Sequence, residues 1–347
     1  MTATPRRRRA AVATLALVAA TALFADCLAS DLPLAVRVDG ATHLLPNLRR
    51  PAALAGDDQQ SLAARAATSG GWILRTPIPY GPLAQHPGGR TDILAPPSLS
   101  GAQPHLLGTD DRGRDVAARL VHGARLAVAI GLPATALALL VGVLLGVGGA
   151  LGRRRDLLAG RLIELGLTFP TLFLLLALQG LRDRSSAVDV ALALGLTQWP
   201  EIARLTRAEA LATVAAPHVE AARALGCSLL RLALVHVLPL SIGAARVAAA
   251  FGLARAVFFE AALDFLGLGV PPPTASWGEL LVQAQASGGK PWLLLPPTLA
   301  IAAVALAALS LAGYVDERGR GRLIGAIGSV GSSSTGTGSA SRSTSSP

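Results

Sequence analysis

Charged residues are scarce in this sequence. They make up 15% of its 347 residues, against about 25% in an ordinary soluble domain, whereas hydrophobic residues reach 52% and the mean hydropathy is +0.51. There are only two cysteines, so no disulfide framework can be read, and the six histidines show no metal-ligand spacing. Several apolar runs of roughly 18 residues or more instead predict an all-α, polytopic membrane protein.

Nucleotide-binding and catalytic motifs are also missing. The fragment nearest to a phosphate-binding G-x-x-x-x-G-K-[ST] loop is Gly288-Gly289-Lys290-Pro291, which lacks both the spacing and the hydroxyl. No Ser/His/Asp triad or paired-carboxylate arrangement is apparent. Four histidines fall in or beside one long polar segment and are expected to be solvated rather than catalytic: His43, His86, His105 and His122. We therefore expect no enzymatic activity and no cofactor bound by this chain.

Six membrane-spanning helices are predicted from the apolar runs. They cover Ala10–Ala25, Leu126–Leu151, Leu162–Leu181, Ala187–Leu205, Ile242–Phe259 and Leu293–Ala312. In the second span, Gly142 and Gly146 lie four residues apart, a spacing that lets another helix approach closely, although glycine is also simply common in membrane helices. In the third span, Pro170 predicts a kink.

The distribution of basic residues predicts the orientation of these spans. The net charge is +10, and the arginines gather at the ends of alternate apolar runs, as in cytoplasmic loops under the positive-inside rule. The short loops on the opposite side hold only Arg182, Arg184 and Lys290. Both termini are therefore predicted to be cytoplasmic. A nucleic-acid partner is not expected, because no basic patch interleaved with aromatic residues is present.

The regions outside the spans differ sharply in composition. The first span follows four arginines, so a cleaved signal ending near Ala20-Thr21-Ala22 or a lipoprotein signal ending at Cys27 must be weighed against an uncleaved helix, which repeated spanning favours. The segment 31–105 is rich in proline, and Asp39-Gly40 predicts a β-hairpin turn within it. The predicted division is 1–30 (N-terminus and first span), 31–121 (outer segment and lead-in to the second span), 122–314 (core with the cytoplasmic loop 208–239) and 315–347 (disordered tail).

The loop between the fourth and fifth spans carries the strongest motif, "EAARALGCSLLRLALVHVLP" at 220–239. Ala208 to Leu225 is predicted to form a helix interrupted at Pro217, and Gly226 can stop it. A second short helix, Ser228–Val237, is predicted to end before Pro239. Two short helices meeting at a glycine would form a rigid protrusion with a slim alanine face.

This segment resembles the "EAA" loop of ABC importer permeases. The residues matching that pattern in register are Glu220, Ala221, Ala222, Gly226, Leu238 and Pro239, with His236 at a position where the dipeptide/oligopeptide branch commonly has histidine. The stretches 105–128 and 265–281 resemble those before the second and last spans of the C-type peptide permeases. "LFADCLASDLPLAVRVDG" and the insert after it are most similar to permeases related to microcin C uptake.

The resemblance implies a type I ABC importer permease fold in the inner membrane, with the loop docked into an ATP-binding subunit. It further implies two such ATPase subunits carrying ATP and Mg²⁺, a paralogous permease as heterodimer partner, and a periplasmic or lipid-anchored substrate-binding protein. The implied cargo is a di- or oligopeptide, or a modified peptide. A permease for nickel or another small solute is the alternative within the family, and a secondary transporter or a membrane-anchored scaffold is the alternative outside it.

Two arginines depart from the family pattern, because Arg246 and Arg255 fall within the predicted fifth span. A charge at the membrane centre costs on the order of 3 kcal/mol on insertion scales. Both side chains are expected to snorkel, Arg246 inward and Arg255 outward toward Glu260. The alternative is that one of them lines the substrate path and meets a substrate carboxylate.

Overall fold

The computed structural model describes residues 5–85, 93–99, 104–181 and 185–332, and within these it is mainly helical. The helices are α1 (Pro5–Leu23), α2 (Ala25–Leu28), α3 (Pro46–Arg49), α4 (Gln59–Thr68), α5 (Val116–Ala150), α6 (Arg153–Thr168), α7 (Thr171–Gly180), α8 (Ala187–Val214), α9 (Pro217–Ala224), α10 (Leu229–Arg231), α11 (Leu238–Phe265), α12 (Trp277–Ala286) and α13 (Pro291–Ser332). The strands are β1 (Ala35–Val38), β2 (Ala41–Leu44) and β3 (Trp72–Leu74). The predicted outer loop 182–184 lies outside the described residues.

Within the described residues, three helical stretches are long and apolar enough to cross a bilayer: Val116–Ala150, Leu229–Phe265 and Pro291–Ala312. A fourth crossing is available if α6 and α7 count as one broken span. The apolar part of α1, Arg9–Leu23, is shorter than a full span. α8 carries charges, including Asp189, Glu201 and Arg204, along its length. Membrane-spanning helices are thus confirmed, whereas the number six stays a prediction.

The predicted third span is not one kinked helix. α6 and α7 meet at an angle of 79°, and the residue before Pro170 is extended, with φ −89° and ψ 128° at Phe169. A proline disfavours the α conformation at the residue before it, which accounts for the break. Each half alone is too short for a ~30 Å hydrocarbon core at ~1.5 Å per residue.

The core of the bundle is formed where α5, α8 and α11 pack together. Gly142 and Gly146 are buried in α5. A methyl group added to Gly142 would come within 2.8 Å of Ile202, and one added to Gly146 within 2.9 Å of the Arg207 backbone nitrogen. The prediction that these glycines allow close helix approach is confirmed, and the helix they admit is α8.

The insert, residues 31–105, contains a small α/β unit in its first half. Its sheet has the order β2-β1-β3 and is antiparallel throughout, and α4 begins with a capping box formed by Asp58 and Ser61. The predicted hairpin is confirmed, since Asp39 and Gly40 both have positive φ, at 50° and 78°, as its two-residue turn requires. Val36, Leu54 and Leu62 belong to the buried core of this unit.

Two further expectations are corrected here. α13 continues to Ser332, so the part of the predicted disordered tail before residue 333 is helical, and the remainder lies outside the described residues. His105, expected to be solvated, is buried and its Nδ1 lies 2.9 Å from Asp115 Oδ2, because the chain folds back over the start of α5. His86 lies outside the described residues.

Candidate functional site

The loop 215–237 forms a protrusion, which we call the knob, between α8 and α11. It begins where Ala216 is extended (ψ 142°) and Pro217 takes the first turn of α9, a position where proline's missing N–H costs nothing. α9 ends at Ala224, and Gly226, two residues later, has a φ of +82°. The N–H of Cys227 donates to Ala222 O (3.1 Å) and the N–H of Gly226 donates to Arg223 O (3.0 Å). This is a Schellman motif, which satisfies the last carbonyls of a helix and needs a residue such as glycine at positive φ.

The base of the knob is fixed by apolar packing. Leu232, Ala233 and Val237 are buried in a π-helical segment, residues 232–237. Ala233 and Val237 pack in one cluster with Val147 at the C-terminal end of α5 and with Ala210 in α8. The base of the knob is therefore packed against two long helices, α5 and α8.

The predicted stop before Pro239 is wrong. The helix runs without a break from the π segment into α11, with Pro239 in the first turn of α11. A proline lacks the N–H of an α-helical bond and its ring clashes with the carbonyl four residues earlier. The wider π turn immediately before Pro239 accommodates this conflict locally, so the second half of the knob is continuous with the membrane helix.

The tip of the knob is exposed and mixes one acid with leucines. Glu220 and Ala221 are exposed, Ala222 is half-buried, and Glu220 forms no ion pair with any described residue. Leu225 is 89% exposed and Leu230 is 70% exposed. Exposed large apolar side chains clustered on a rigid element mark a protein-interaction surface. The motif comparison missed both leucines, although the position of Leu225 directly before a helix-ending glycine could have indicated that it lies at the tip.

The two other stretches that carried the resemblance contact each other. Arg119 in α5 pairs with Glu279 in α12, and Arg114 Nη2 lies 3.3 Å from the other Glu279 oxygen. Asp110 completes the cluster, 2.7 Å from Arg114 Nε. The indole N–H of Trp277 donates to Leu120 O at 3.0 Å. We call Asp110, Arg114, Arg119 and Glu279 the clasp. It lies at the end of α5 remote from the knob, about 50 Å away for a 35-residue helix.

The two arginines of α11 occupy different environments. Arg255 Nη1 lies 2.7 Å from Glu201 Oε1 in α8, so the expectation that Arg255 points toward Glu260 is wrong: on this helix it faces α8. Arg246 is exposed and has no ion pair with any described residue. Glu260 is buried, 1% exposed, within α11, rather than in the segment after it as the predicted end of the fifth span implied.

Polar groups without a hydrogen-bond partner lie at and beside the Arg255–Glu201 pair. Gln198, one helical turn from Glu201, is 2% exposed, and its amide oxygen and nitrogen have no partner among the described residues. Arg255 Nε is likewise buried without a partner. The pair itself is only partly covered, at 31% exposure for Arg255 and 42% for Glu201. Charged groups in membrane segments almost always face a water-filled cavity or a protein partner rather than lipid.

Comparison with known proteins decides the family. The model of the binding-protein-dependent transport system inner membrane component family matches residues 138–321, more than half of the chain. This chain belongs to that family. The match confirms the resemblance to ABC importer permeases and supports a multi-pass inner-membrane protein. Of the three stretches that carried the resemblance, 220–239 and 265–281 lie within the matched residues.

Curated relatives extend the permease match. A di/tripeptide transport system permease protein of Pseudomonas aeruginosa is 39% identical over 210 residues, covering 60% of this chain and 68% of that protein. A putative peptide transport system permease protein of Brucella suis is 37% identical over 214 residues, covering 61% and 70%. The inner membrane ABC transporter permease protein YejE of Escherichia coli is 33% identical over 303 residues, covering 85% and 86%. At 303 residues, the YejE match is too long to be confined to the 184 residues that the family model matches, whereas the other two matches cover about three fifths of the chain.

Proposed function

We propose that this permease is one transmembrane subunit of an ABC importer that carries di- or oligopeptides, or modified peptides, across the inner membrane. The peptide transport named for the relatives supports this cargo, and the extended similarity to YejE supports a common arrangement of the insert. The observation that carries the mechanism is the exposed knob, which is anchored to α5 and α8 and continuous with α11.

The proposed orientation places the knob in the cytoplasm and the insert outside. Both lie against α5, the knob at its C-terminal end and the clasp with the insert at its N-terminal end. α5 is long enough to separate them by a full bilayer. Arg153, Arg154 and Arg155 follow α5 on the knob side, which favours the cytoplasm for that side. Both termini are cytoplasmic in this proposal.

The knob is proposed to dock into a groove of an ATP-binding subunit. Glu220 supplies a directional negative charge for an arginine or backbone donors, and Leu225 supplies the apolar anchor. Two such ATPase subunits would bind ATP and Mg²⁺, since this chain has no phosphate-binding loop. Their closure would move the knobs and reorient the spans between inward- and outward-facing states. A paralogous permease and an external binding protein complete the proposed complex.

The Arg255–Glu201 pair is proposed to line the substrate path. Facing lipid would be costly for a partly exposed ion pair, so the exposed side of the pair faces the cavity between this subunit and the second permease. A peptide brings a carboxylate, which can replace Glu201 as the partner of Arg255, and an amine, which can replace Arg255 as the partner of Glu201. A path lined by an arginine suits such a cargo better than a divalent metal cation such as nickel.

Uptake by reconstituted vesicles tests the proposal. Vesicles holding both permeases and the ATPase subunits, with the binding protein outside, should accumulate labelled peptide only when ATP is inside. Glu220→Arg should abolish this uptake while leaving the amount of inserted permease unchanged. Glu164→Arg, an exposed acid on α6, is the matched control and should keep normal uptake. Uptake driven by a proton gradient without ATP, or normal ATP-driven uptake by Glu220→Arg, would refute the proposed coupling.

A further inference from the structure

A short apolar surface of the insert lies uncovered next to the end of α1. Residues 44–50 run from the end of β2 through α3 with the sequence LLPNLRR. Leu44, Leu45 and Leu48 are 62%, 42% and 53% exposed, although the insert has its own core of leucine and valine. Three exposed leucines within five residues on a folded unit call for an apolar environment that covers them.

The position of this surface is fixed by side-chain contacts to α2. Asn47 Nδ2 donates to the Asp26 carbonyl oxygen at 2.8 Å, and Asn47 itself is buried. Asp26 in turn bonds Arg125 of α5 at 2.8 Å. α3 therefore lies beside the point where α1 ends. There, Leu23 at the end of α1 and Phe24 directly after it are 74% and 54% exposed, as expected if α1 is the first span that the sequence predicts.

Two arginines follow the leucines directly. Arg49 is exposed and forms no ion pair with any described residue. Arg50 makes one long contact, 3.5 Å to Asp31, and its side chain stays 64% exposed. Leucines followed by arginines on a short segment at the end of a membrane helix are typical of an interfacial element, whose apolar side chains enter the acyl boundary while its cations meet phosphate. Arginine is suited to phosphate because its planar guanidinium can donate two hydrogen bonds to it.

We propose that residues 44–50 are a lipid-docking surface that holds the insert on the leaflet in which α1 ends. Leu45 and Leu48 enter the boundary between headgroups and acyl chains, and Arg49 binds phospholipid phosphate. The occupant is lipid rather than a protein, because the surface lies beside the exposed apolar end of α1, and the unpaired Arg49 complements the phosphate that every phospholipid headgroup carries. The docked surface fixes the height of the insert above the spans, independently of the cargo.

Depth-dependent fluorescence quenching tests the proposal on the full-length chain. Cys27 and Cys227 are replaced by serine, and a polarity-sensitive fluorophore is attached to Leu48→Cys in nanodiscs of phosphatidylethanolamine and phosphatidylglycerol. The matched control is Ala67→Cys, an exposed position near the end of α4, where the Ser69 hydroxyl binds the hairpin tip at Asp39. A nitroxide carried near the lipid headgroup should quench the label at position 48 at least about twofold more strongly than the label at position 67. The emission of the label at 48 should also be blue-shifted relative to that of the label at 67.

Two outcomes would overturn the proposal. Equal quenching at 48 and 67 would place the surface in water. Protection of position 48 from aqueous iodide without quenching by the lipid nitroxide would show that a protein, such as the second permease, covers it. A second variant tests the role of Arg49: adding Arg49→Glu should reduce the lipid quenching at 48 in the phosphatidylglycerol-containing nanodiscs, and unchanged quenching would refute phosphate binding by this residue.

Discussion

Replacing Glu279 with glutamine should destabilise the clasp that joins α5 to α12. The substitution keeps the shape of the side chain and removes its charge. It leaves Arg119, 0% exposed, and Arg114, 2% exposed, with one counter-charge fewer. Gln283 would also lose the carboxylate that its amide contacts at 3.1 Å.

The expected loss follows from burial and from what remains. Removing one partner of a buried ion pair costs about 3–5 kcal/mol, because the other charge stays buried without compensation. Here Asp110 still lies 2.7 Å from Arg114 and 3.5 Å from Arg119, and Glu279 is itself 13% exposed. We therefore expect a reduction of about 2–3 kcal/mol in the free energy of unfolding, below the full cost of an orphaned charge.

The measurement is a reversible unfolding titration with sodium dodecyl sulfate in mixed micelles, followed by tryptophan fluorescence. Glu164→Gln is the control, because its pair with Arg161 has side chains 68% and 82% exposed and such surface pairs contribute about 0–1 kcal/mol. The double variant Arg119→Met/Glu279→Leu should recover part of the loss, since it removes a buried charge together with its partner. If Glu279→Gln unfolds no more easily than Glu164→Gln, the clasp does not stabilise the fold.

Three further predictions concern the packing of α5 against α8, the substrate path and the titration of Tyr80. Gly146→Ala should destabilise the protein by about 1–3 kcal/mol because the added methyl group meets the backbone of α8. In the same unfolding titration, the control Gly148→Ala should be neutral or stabilising, since the space around Gly148 is open. Equal effects of the two substitutions would contradict the close approach of the helices. Arg255→Leu should lower peptide uptake at least about tenfold because it leaves Glu201 unpaired at membrane depth. Arg255→Lys, which keeps the positive charge, should retain part of the uptake. Unchanged uptake of acidic and neutral peptides by Arg255→Leu would show that the Arg255–Glu201 pair does not line the substrate path. Burial, with a smaller effect of the Asp115 carboxylate, raises the pKa of Tyr80 to about 12. The difference in alkaline absorbance between the wild type and Tyr80→Phe should therefore titrate with a midpoint near pH 12. A midpoint near pH 10, the ordinary value for tyrosine, would mean that the phenol is solvated. Because the folded state holds the Tyr80 proton more tightly, its contribution to stability is present below pH 10 and is lost as the pH rises toward 12.

Local patterns in the sequence predicted local structure well. Asp39-Gly40 indicated the hairpin turn, and both residues have the positive φ that the turn needs. Gly226 indicated the end of α9 and forms its Schellman motif. In each case the cause is the backbone conformation of one or two residues, which the residue type itself dictates.

Features that depend on distant partners could not be predicted. Arg119 and Glu279 are separated by 160 positions, and no local pattern shows that they meet. The same holds for Arg255: the sequence predicts a partner five residues away on the same helix, whereas the partner in the structure is Glu201 on α8. Pro239 predicts a helix stop because a proline inside an α-helix is costly. The π turn that accommodates Pro239 is not encoded by any single residue before it.

Cross-linking from the tip of the knob tests the central claim most directly. A photoreactive amino acid at Leu225, the 89% exposed side chain at the end of α9, should form a covalent product with the ATP-binding subunit in the assembled transporter. The same amino acid at Leu158, which is 67% exposed on α6, should form little or none. A product with the ATPase that strengthens when ATP is bound is the predicted result; no ATPase product from Leu225, with the complex intact, would contradict the account.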